Sequence, residues 1–230
     1  MDSELLTPIE TLEGSLTQRV YTSLRQAIIT LKFPPGTVLK KGEICTKLGV
    51  SRSPVSEAIA KLSADKLVDV IPQSATRVSA FSFAEIREAC FLREALELAA
   101  VKRVTENRTD QQLNELTRCV RLQELLIEDE DFDGFYQSDE DFHELLMNFT
   151  GFPGISEVAF NISLRLKRAR MLSLPQMQRA HESVKEHIEI LSAIREKDVA
   201  KAEQAMKYHL SQLMYRIEEL DKIFPEYFNH

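Results

Sequence analysis

Tryptophan is absent from this chain of 230 residues, and glycine and proline are scarce, with seven and eight copies. This composition argues against a low-complexity segment and against a β-rich fold. The cysteines Cys45, Cys90 and Cys119 form no CxxC pair and no even framework, so free thiols in a reducing compartment are expected. A basic-then-apolar leader and an apolar run of about 18 residues are both missing, which predicts a cytoplasmic protein without a membrane partner.

The charge of the chain is unevenly distributed. The formal net charge of −7 by itself disfavours a nucleic-acid partner. Residues 15–80, however, contain ten basic and four acidic residues, a net charge of +6, whereas residues 81–230 contain nineteen and 28, a net charge of −9. A basic segment followed by an acidic one is expected of a small DNA-binding domain joined to an acidic partner domain.

The basic segment has the pattern of a winged helix-turn-helix. A short helix is predicted over Lys41–Leu48, a tight turn over Gly49–Ser51, and a second helix over Arg52–Ala64. Two short β-branched stretches, Leu67–Ile71 and Thr76–Ala80, then predict a hairpin, with residues 72–75 as its tip. The second helix of such a motif is the one that enters a major groove.

From Phe83 onward the apolar residues recur only with helical spacing. Six helices joined by short loops predict an all-α antiparallel bundle of six or seven helices. The predicted fold class is therefore mainly α, with an N-terminal winged helix and a small β-hairpin wing. The predicted bundle helices are Phe83–Thr105, Gln111–Ile127, Asp133–Phe149, Ile155–Leu172, Gln176–Arg195 and Val199–Leu220.

A possible metal site is spread over three of these helices. Asp139 and His143 are four residues apart, which on a helix puts a carboxylate and an imidazole on one face. His187 and His209 lie in two later helical segments. One carboxylate and three imidazoles suit a borderline divalent cation, with zinc as the first choice and nickel and manganese left open. The alternative is that these histidines are hydrogen-bonded without a metal.

Arg93 lies in a strongly apolar stretch, where a cation must find an anion or point to water. It could clamp the carboxylate of a small effector, or it could form a salt bridge with Glu97 one turn later. Three further arginines, Arg165, Arg168 and Arg170, share one helix and are predicted to form a solvated basic face.

Several stretches resemble one family of bacterial regulators. Leu48–Leu62 resembles the recognition-helix signature of GntR-type winged-helix regulators. Four later stretches, in the same order, resemble the all-helical effector (FCD) domain of the FadR branch of that family. This resemblance implies a homodimeric transcription regulator with a divalent metal that helps to bind a small carboxylate effector. The four stretches are Phe91–Glu97, Asp139–His143, Glu186–Ile194 and Met206–Leu210.

The expected DNA contacts follow from this motif. Arg52 begins the recognition helix, where it could reach a phosphate or a guanine edge. The chain departs from the family pattern at Gly42, Ser56 and Ala75, where arginine or glycine is common, so the operator sequence stays open. The predicted DNA-binding residues are Lys41, Ser51, Arg52, Ser53, Ser56, Lys61 and Arg77, which would mostly contact phosphates.

The predicted function is a metal-containing DNA-binding regulator that acts as a homodimer on a double-stranded operator and responds to a small organic acid. One alternative is a hydrolase-like metalloenzyme, although HExxH, GxSxG and P-loop motifs are missing. Another is a metal-dependent interaction module that does not bind DNA. The predicted organisation is a flexible arm (1–14), a winged-helix domain (15–80), an effector, metal-binding and dimerisation domain (81–222) and a tail (223–230).

Overall fold

The computed structural model describes residues 5–71, 75–172 and 177–229. These residues form two compact units. The first unit contains the residues up to Phe83 together with those from Asp221 onward, and the second contains Ala84–Leu220. The second unit is helical throughout its described part, and the only strands of the described chain lie in the first unit. The mainly helical fold class predicted from the sequence is confirmed.

The first unit begins with three helices, α1 (Leu16–Ile29), α2 (Lys41–Leu48) and α3 (Arg52–Ala64). The Ser15 side chain caps α1 by accepting a hydrogen bond from a backbone N–H of its first turn. Gly49 ends α2 with φ +63°, a left-handed conformation that costs least at glycine, and so allows α3 to start three residues later. The bounds predicted for α2 and α3 are confirmed.

The core of the first unit lies mainly between α1 and α3. Their apolar faces follow the helical period and are shielded from water, which stabilises the motif by burying apolar area. Leu6 and Ile9, from the segment before α1, are buried in the same core, a packing that the sequence did not predict. The main core residues of the two helices are Val20, Leu24, Ala27, Ile28, Val55, Ala58, Ile59 and Leu62.

The predicted hairpin is present and is shorter than expected. Strands β1 (Val68–Val70) and β2 (Thr76–Val78) pair antiparallel, with Val68 opposite Val78. The predicted tip spans residues 72–75, of which 72–74 lie outside the described residues.

Six helices make up the described part of the second unit, and the prediction of a helical bundle is confirmed. Thr109 caps the second of them in a capping box: its side chain accepts from the backbone N–H of Gln112, and the Gln112 side chain accepts from the backbone N–H of Thr109. None of the helices that the structure describes is both long and apolar enough to cross a membrane. The bundle helices are α4 (Phe83–Asn107), α5 (Asp110–Glu128), α6 (Phe132–Phe149), α7 (Pro153–Met171), α8 (Met177–Glu196) and α9 (Val199–Ile223).

The end of the chain returns to the first unit. Strand β3 (Phe81–Ser82), just before α4, pairs in parallel with β4 (Phe228–Asn229), which follows α9. The buried ring of Phe228 lies 5.2 Å from that of Phe81 and 5.1 Å from that of Phe83. The chain therefore passes between the two units twice, at the start of α4 and near the end of α9.

The turn at Gly49 gives a test of the local backbone argument. We expect Gly49→Ala to lower the free energy of unfolding by about 1 kcal/mol, because a Cβ is disfavoured in the left-handed region. A Cβ at this position meets no atom within 4 Å, so the loss reports backbone strain alone. Gly42→Ala in α2, which is equally unobstructed, serves as control and should raise stability by roughly 0.5 kcal/mol. Urea unfolding of both variants measures the difference, and equal stabilities would contradict the strain.

Candidate functional site

Four buried side chains of the second unit converge on one point. Asp139 and His143 come from adjacent turns of α6, His187 from α8 and His209 from α9. Each offers one ligand atom, and these atoms all lie within 4.8 Å of one another. The helical spacing of the α6 pair was visible in the sequence, whereas bundle packing alone brings the other two histidines to it.

The three imidazoles face each other through the same ring nitrogen. Nε2 of His209 lies 3.2 Å from Nε2 of His143 and 3.3 Å from Nε2 of His187. Ligand nitrogens about 2.1 Å from a zinc ion would lie about 3.0–3.4 Å from one another. The observed spacing therefore fits a shared metal ion.

Two of the imidazoles are oriented by glutamates. Nδ1 of His143 lies 2.6 Å from a carboxylate oxygen of Glu97, and Nδ1 of His209 lies 2.6 Å from one of Glu186. Burial raises the pKa of Glu97, but Arg93 and His143 lower it more, so it stays well below its usual range. Burial likewise raises the pKa of Glu186, but hydrogen bonds from Arg179 and His209 bring it to about 2. An ionised carboxylate can only accept, so both Nδ1 atoms carry hydrogen.

The third imidazole is oriented by a neutral amide. Gln123, fully buried on α5, donates from Nε2 to the backbone carbonyl of Ser138 at 2.8 Å. This bond fixes the amide, so its oxygen accepts from Nδ1 of His187 at 2.7 Å. The stacked ring of Phe142, 4.3 Å away, further restricts His187. All three imidazoles thus carry hydrogen on Nδ1 and present Nε2 to the common point.

This arrangement calls for a cation. Burial lowers the pKa of His187 well below its usual value, and burial also lowers that of His209 to about 4, so both are neutral near pH 7. Their Nε2 lone pairs then face each other without a hydrogen between them, an arrangement that a shared cation would stabilise. Burial raises the pKa of Asp139, but Arg170 and the imidazoles lower it more, so a carboxylate completes the donor set. These residues fit a divalent metal ion.

Arginines form ion pairs with the carboxylates of the site. Arg93 Nε donates to Glu97 at 2.6 Å, and Arg179 donates to both carboxylate oxygens of Glu186 at 2.7 Å. Arg170 donates to the Asp139 carboxylate. Each carboxylate of the site is therefore paired with a buried or half-buried guanidinium, which keeps it ionised away from water.

A cavity of about 340 Å³ opens beside His143. Three cations line it, Arg93 from α4 and Lys167 and Arg170 from α7, together with the acidic Glu97 and Glu140. The apolar part of its wall includes Leu96, Met147, Ala159 and Ile162. A cavity of this size, partly apolar and lined by cations, can enclose a small anion.

The winged helix of the first unit presents most of the candidate DNA contacts to solvent. Within the described part of the chain, Arg52 has no hydrogen-bond or ion-pair partner, so its guanidinium can reach a ligand. Ser56 is only half-exposed on α3. The exposed members of the predicted set are Lys41, Ser51, Arg52, Ser53, Lys61 and Arg77.

Known protein families match both units. Residues 16–78 match the family described as bacterial regulatory proteins, gntR family. Residues 88–212, more than half of the chain, match the FCD domain. The chain belongs to the GntR family. It is a DNA-binding transcription regulator with an FCD effector domain.

Related proteins are similar to this GntR regulator along almost the whole chain. It is 28% identical over 212 residues to the HTH-type transcriptional repressor RspR of Escherichia coli K12, covering 92% of this chain and 93% of that protein. It is 34% identical over 209 residues to an HTH-type transcriptional regulator in an unstable DNA locus of Streptomyces ambofaciens, covering 91% and 88%. A solved structure described as a transcriptional regulator GntR from Rhodococcus sp. RHA1 has a TM-score of 0.71 and 26% identity, covering 90% of this chain and 99% of that one. The relatives are named as transcription regulators, so the chain is a regulator and not an enzyme.

Some candidate DNA contacts of the GntR regulator are engaged within the protein. Lys61 Nζ donates to Gln18 of α1 at 3.3 Å, and the Ser53 hydroxyl donates to Glu57 at 3.0 Å. Arg77 donates to the backbone carbonyl of Gly36. These side chains must exchange an internal partner for DNA, whereas Arg52 need not.

Sequence analysis did not identify the residues that surround the four candidate metal ligands of this regulator. Glu97, Gln123 and Glu186 look like ordinary polar helix residues, and only bundle packing buries them. The predicted solvated basic face is wrong, because Arg168 is buried and Arg170 binds the carboxylate of Asp139. The side chain of Arg165 lies outside the described part.

The role of Gln123 can be tested through metal binding. We expect Gln123→Leu to bind zinc about 10–100-fold more weakly, because His187 loses the acceptor that fixes its Nδ1–H. Gln111→Leu, at an exposed position of the same helix, should bind zinc like the wild type. Chelator competition and elemental analysis measure both.

The double variant His187→Ala, His209→Ala gives the lower limit of zinc affinity in that experiment, because it lacks two of the proposed ligands. Stoichiometric zinc in the double variant would rule out the site. Unchanged zinc affinity in Gln123→Leu would rule out only the orienting role of the amide.

Proposed function

We propose that this GntR regulator, as a member of the FadR branch, is a homodimer that contains a divalent metal and changes its affinity for operator DNA when a small carboxylate binds. One observation carries the proposal, the convergence of three Nε2 atoms and the Asp139 carboxylate beside a cavity lined by cations. Zinc is the proposed metal because imidazole and carboxylate ligands suit it, and nickel or manganese could replace it.

The proposed metal ligands are Asp139, His143, His187 and His209. A divalent ion held by them would offer a Lewis-acidic anchor for a carboxylate oxygen of the effector. Glu97, Gln123 and Glu186 keep the three imidazoles in the orientation that binds such an ion. The proposed effector would bind in the cavity beside His143.

Arg93 is the proposed clamp for the effector carboxylate. It lines the cavity and also holds Glu97, so its guanidinium is fixed in place before a ligand arrives. A fixed fork of N–H donors matches a carboxylate better than a flexible ammonium does. The cavity volume of about 340 Å³ restricts the ligand to a small acid.

DNA binding is proposed for residues 15–80, and effector, metal and subunit binding for residues 81–222, with 1–14 and 223–230 flanking them. A dimer would place two recognition helices on a two-fold related operator. Phe91, the most exposed apolar side chain of α4 at 72%, supports a subunit contact on that helix. Light scattering at micromolar concentration tests the dimer. We further propose that the protein acts in the cytoplasm, where bacterial DNA lies.

Operator binding is tested first with the DNA that the purified protein retains from genomic fragments. We expect Arg52→Ala to weaken binding to that DNA about tenfold or more, because one charge-assisted contact to a base edge or phosphate is lost. Lys32→Ala removes the same charge from an exposed position before α2 and should change affinity little. Mobility shifts at several salt concentrations give both values.

Equal losses in Arg52→Ala and Lys32→Ala would mean that Arg52 contributes only net charge. Failure to retain any DNA sequence selectively would contradict the operator in this proposal.

The effector clamp is tested with Arg93→Lys, which keeps a cation beside Glu97. We expect this variant to hold zinc and to lose about tenfold or more of its affinity for small carboxylic acids, because the fork geometry is lost. Arg87→Lys, an exposed position one turn and a half earlier on α4, is the control. Thermal shift with a panel of two- to six-carbon acids measures binding, and elemental analysis measures zinc. An Arg93→Lys protein that binds acids like the wild type would remove Arg93 from the site.

A further inference from the structure

We infer that the metal-loaded site selects a small dianionic acid, such as a dicarboxylate, over a monoanion of the same size. The inference rests on the proposed metal and carboxylate effector, and it adds the charge of that effector. It follows from the balance of charges around the ligand set.

Among the described residues, every carboxylate that lies buried or half-buried next to the ligand set already has a basic partner. Glu97 is held by Arg93 at 2.6 Å, Glu186 by Arg179 at 2.7 Å through both oxygens, and Asp139 by Arg170. The fourth is Glu140, whose partner is Lys167 at 2.6 Å. Four carboxylates and four cations therefore neutralise each other before a metal is bound.

A bound divalent metal ion would add two positive charges, and no buried side chain among those that the structure describes here is left to balance them. The three imidazoles bind it as neutral ligands and contribute no negative charge. The charge of Asp139 is already shared with Arg170. An uncompensated charge in a buried site is unfavourable by several kcal/mol. A ligand that brings the missing negative charge into the cavity should therefore bind more tightly.

Arg216 of α9 adds to the positive excess. Its Nη2 atom is buried and has no hydrogen-bond partner within the described residues. Burial and, to a lesser extent, the neighbouring Arg179 lower the pKa of Arg216 to about 9, although Glu186 and Asp139 act in the opposite direction. A guanidinium in this environment favours a further negative charge nearby.

The remaining acidic side chains near the site do not remove this excess. Glu144 lines the cavity but is exposed, and Glu182 reaches Arg179 at 3.3 Å from an exposed position. Water screens such charges, so their effect on a buried ion is small. The cavity itself, at about 340 Å³, lies at the lower end of ligand cavities, so both negative charges must sit on a compact molecule.

The test compares acids that differ in charge and hardly in size. Succinate is paired with succinamate, and glutarate with glutaramate, so that each pair exchanges one carboxylate for a neutral amide. Titration calorimetry on the zinc-loaded full-length protein is expected to show at least tenfold tighter binding of the dianion in each pair. The same titrations on the chelator-treated protein should show a smaller ratio, because the metal charge is missing.

The two proposals fail in different ways. Equal affinity for the members of each pair would overturn the charge preference and leave the carboxylate effector standing. No binding of any of the four acids to protein with stoichiometric zinc would overturn the carboxylate effector and the charge preference with it.

Arg216→Gln tests the contribution of this guanidinium separately. We expect it to weaken succinate binding more than succinamate binding, so that the ratio between the two falls by several-fold. Arg121→Gln, at an exposed position of α5, removes the same charge and should leave the ratio unchanged. An unchanged ratio in Arg216→Gln would overturn the contribution of Arg216 to the preference.

Discussion

The whole second unit depends on holding three imidazoles with their Nε2 atoms toward one point. Each ring needs an acceptor behind it, and these acceptors come from three different helices, Glu97 on α4, Gln123 on α5 and Glu186 on α8. The rings themselves come from α6, α8 and α9, so five of the six bundle helices supply a part. A small shift of any one helix would move either a ligand or its acceptor by more than hydrogen-bond geometry allows. The tight apolar packing around the site is what keeps the helices in register.

Local patterns in the sequence predicted much of this molecule. Helical spacing and the turn at Gly49 predicted α2 and α3 with their bounds, and the spacing of Asp139 and His143 predicted half of the candidate metal site. His187 and His209 were found in two later helical segments, and the family resemblance favoured a metal shared by all four residues. The acceptors behind the rings could not be found in this way, because a glutamate on a solvated helix face and one buried behind a histidine have the same sequence pattern. Arg170 was misjudged for the same reason.

Strand β4 shows a second limit of sequence analysis. A strand pairing of only two residues has no sequence period, and the aromatic residues near the end of the chain gave no sign that Phe228 would be buried between Phe81 and Phe83.

This pairing bears on how ligand binding could be coupled to DNA binding. Both helices that continue into the first unit carry parts of the site, since α4 holds Arg93 and α9 holds His209. A ligand can change DNA affinity only if it binds two arrangements of the protein with different affinity.

The sequence left two roles open for Arg93, a salt bridge with Glu97 and a clamp for an effector carboxylate. Arg93 pairs with Glu97 and it also lines the cavity, so the salt bridge and the proposed effector clamp do not exclude each other. Glu97 in turn holds the ring of His143. An acid that bound Arg93, as proposed, would therefore share that guanidinium with the carboxylate that orients His143. Because a buried carboxylate without its cation is strongly unfavourable, binding of the acid and the strength of the His143 ligand cannot be independent. By linkage, a metal bound at the proposed site would change the affinity for the acid by the same free energy.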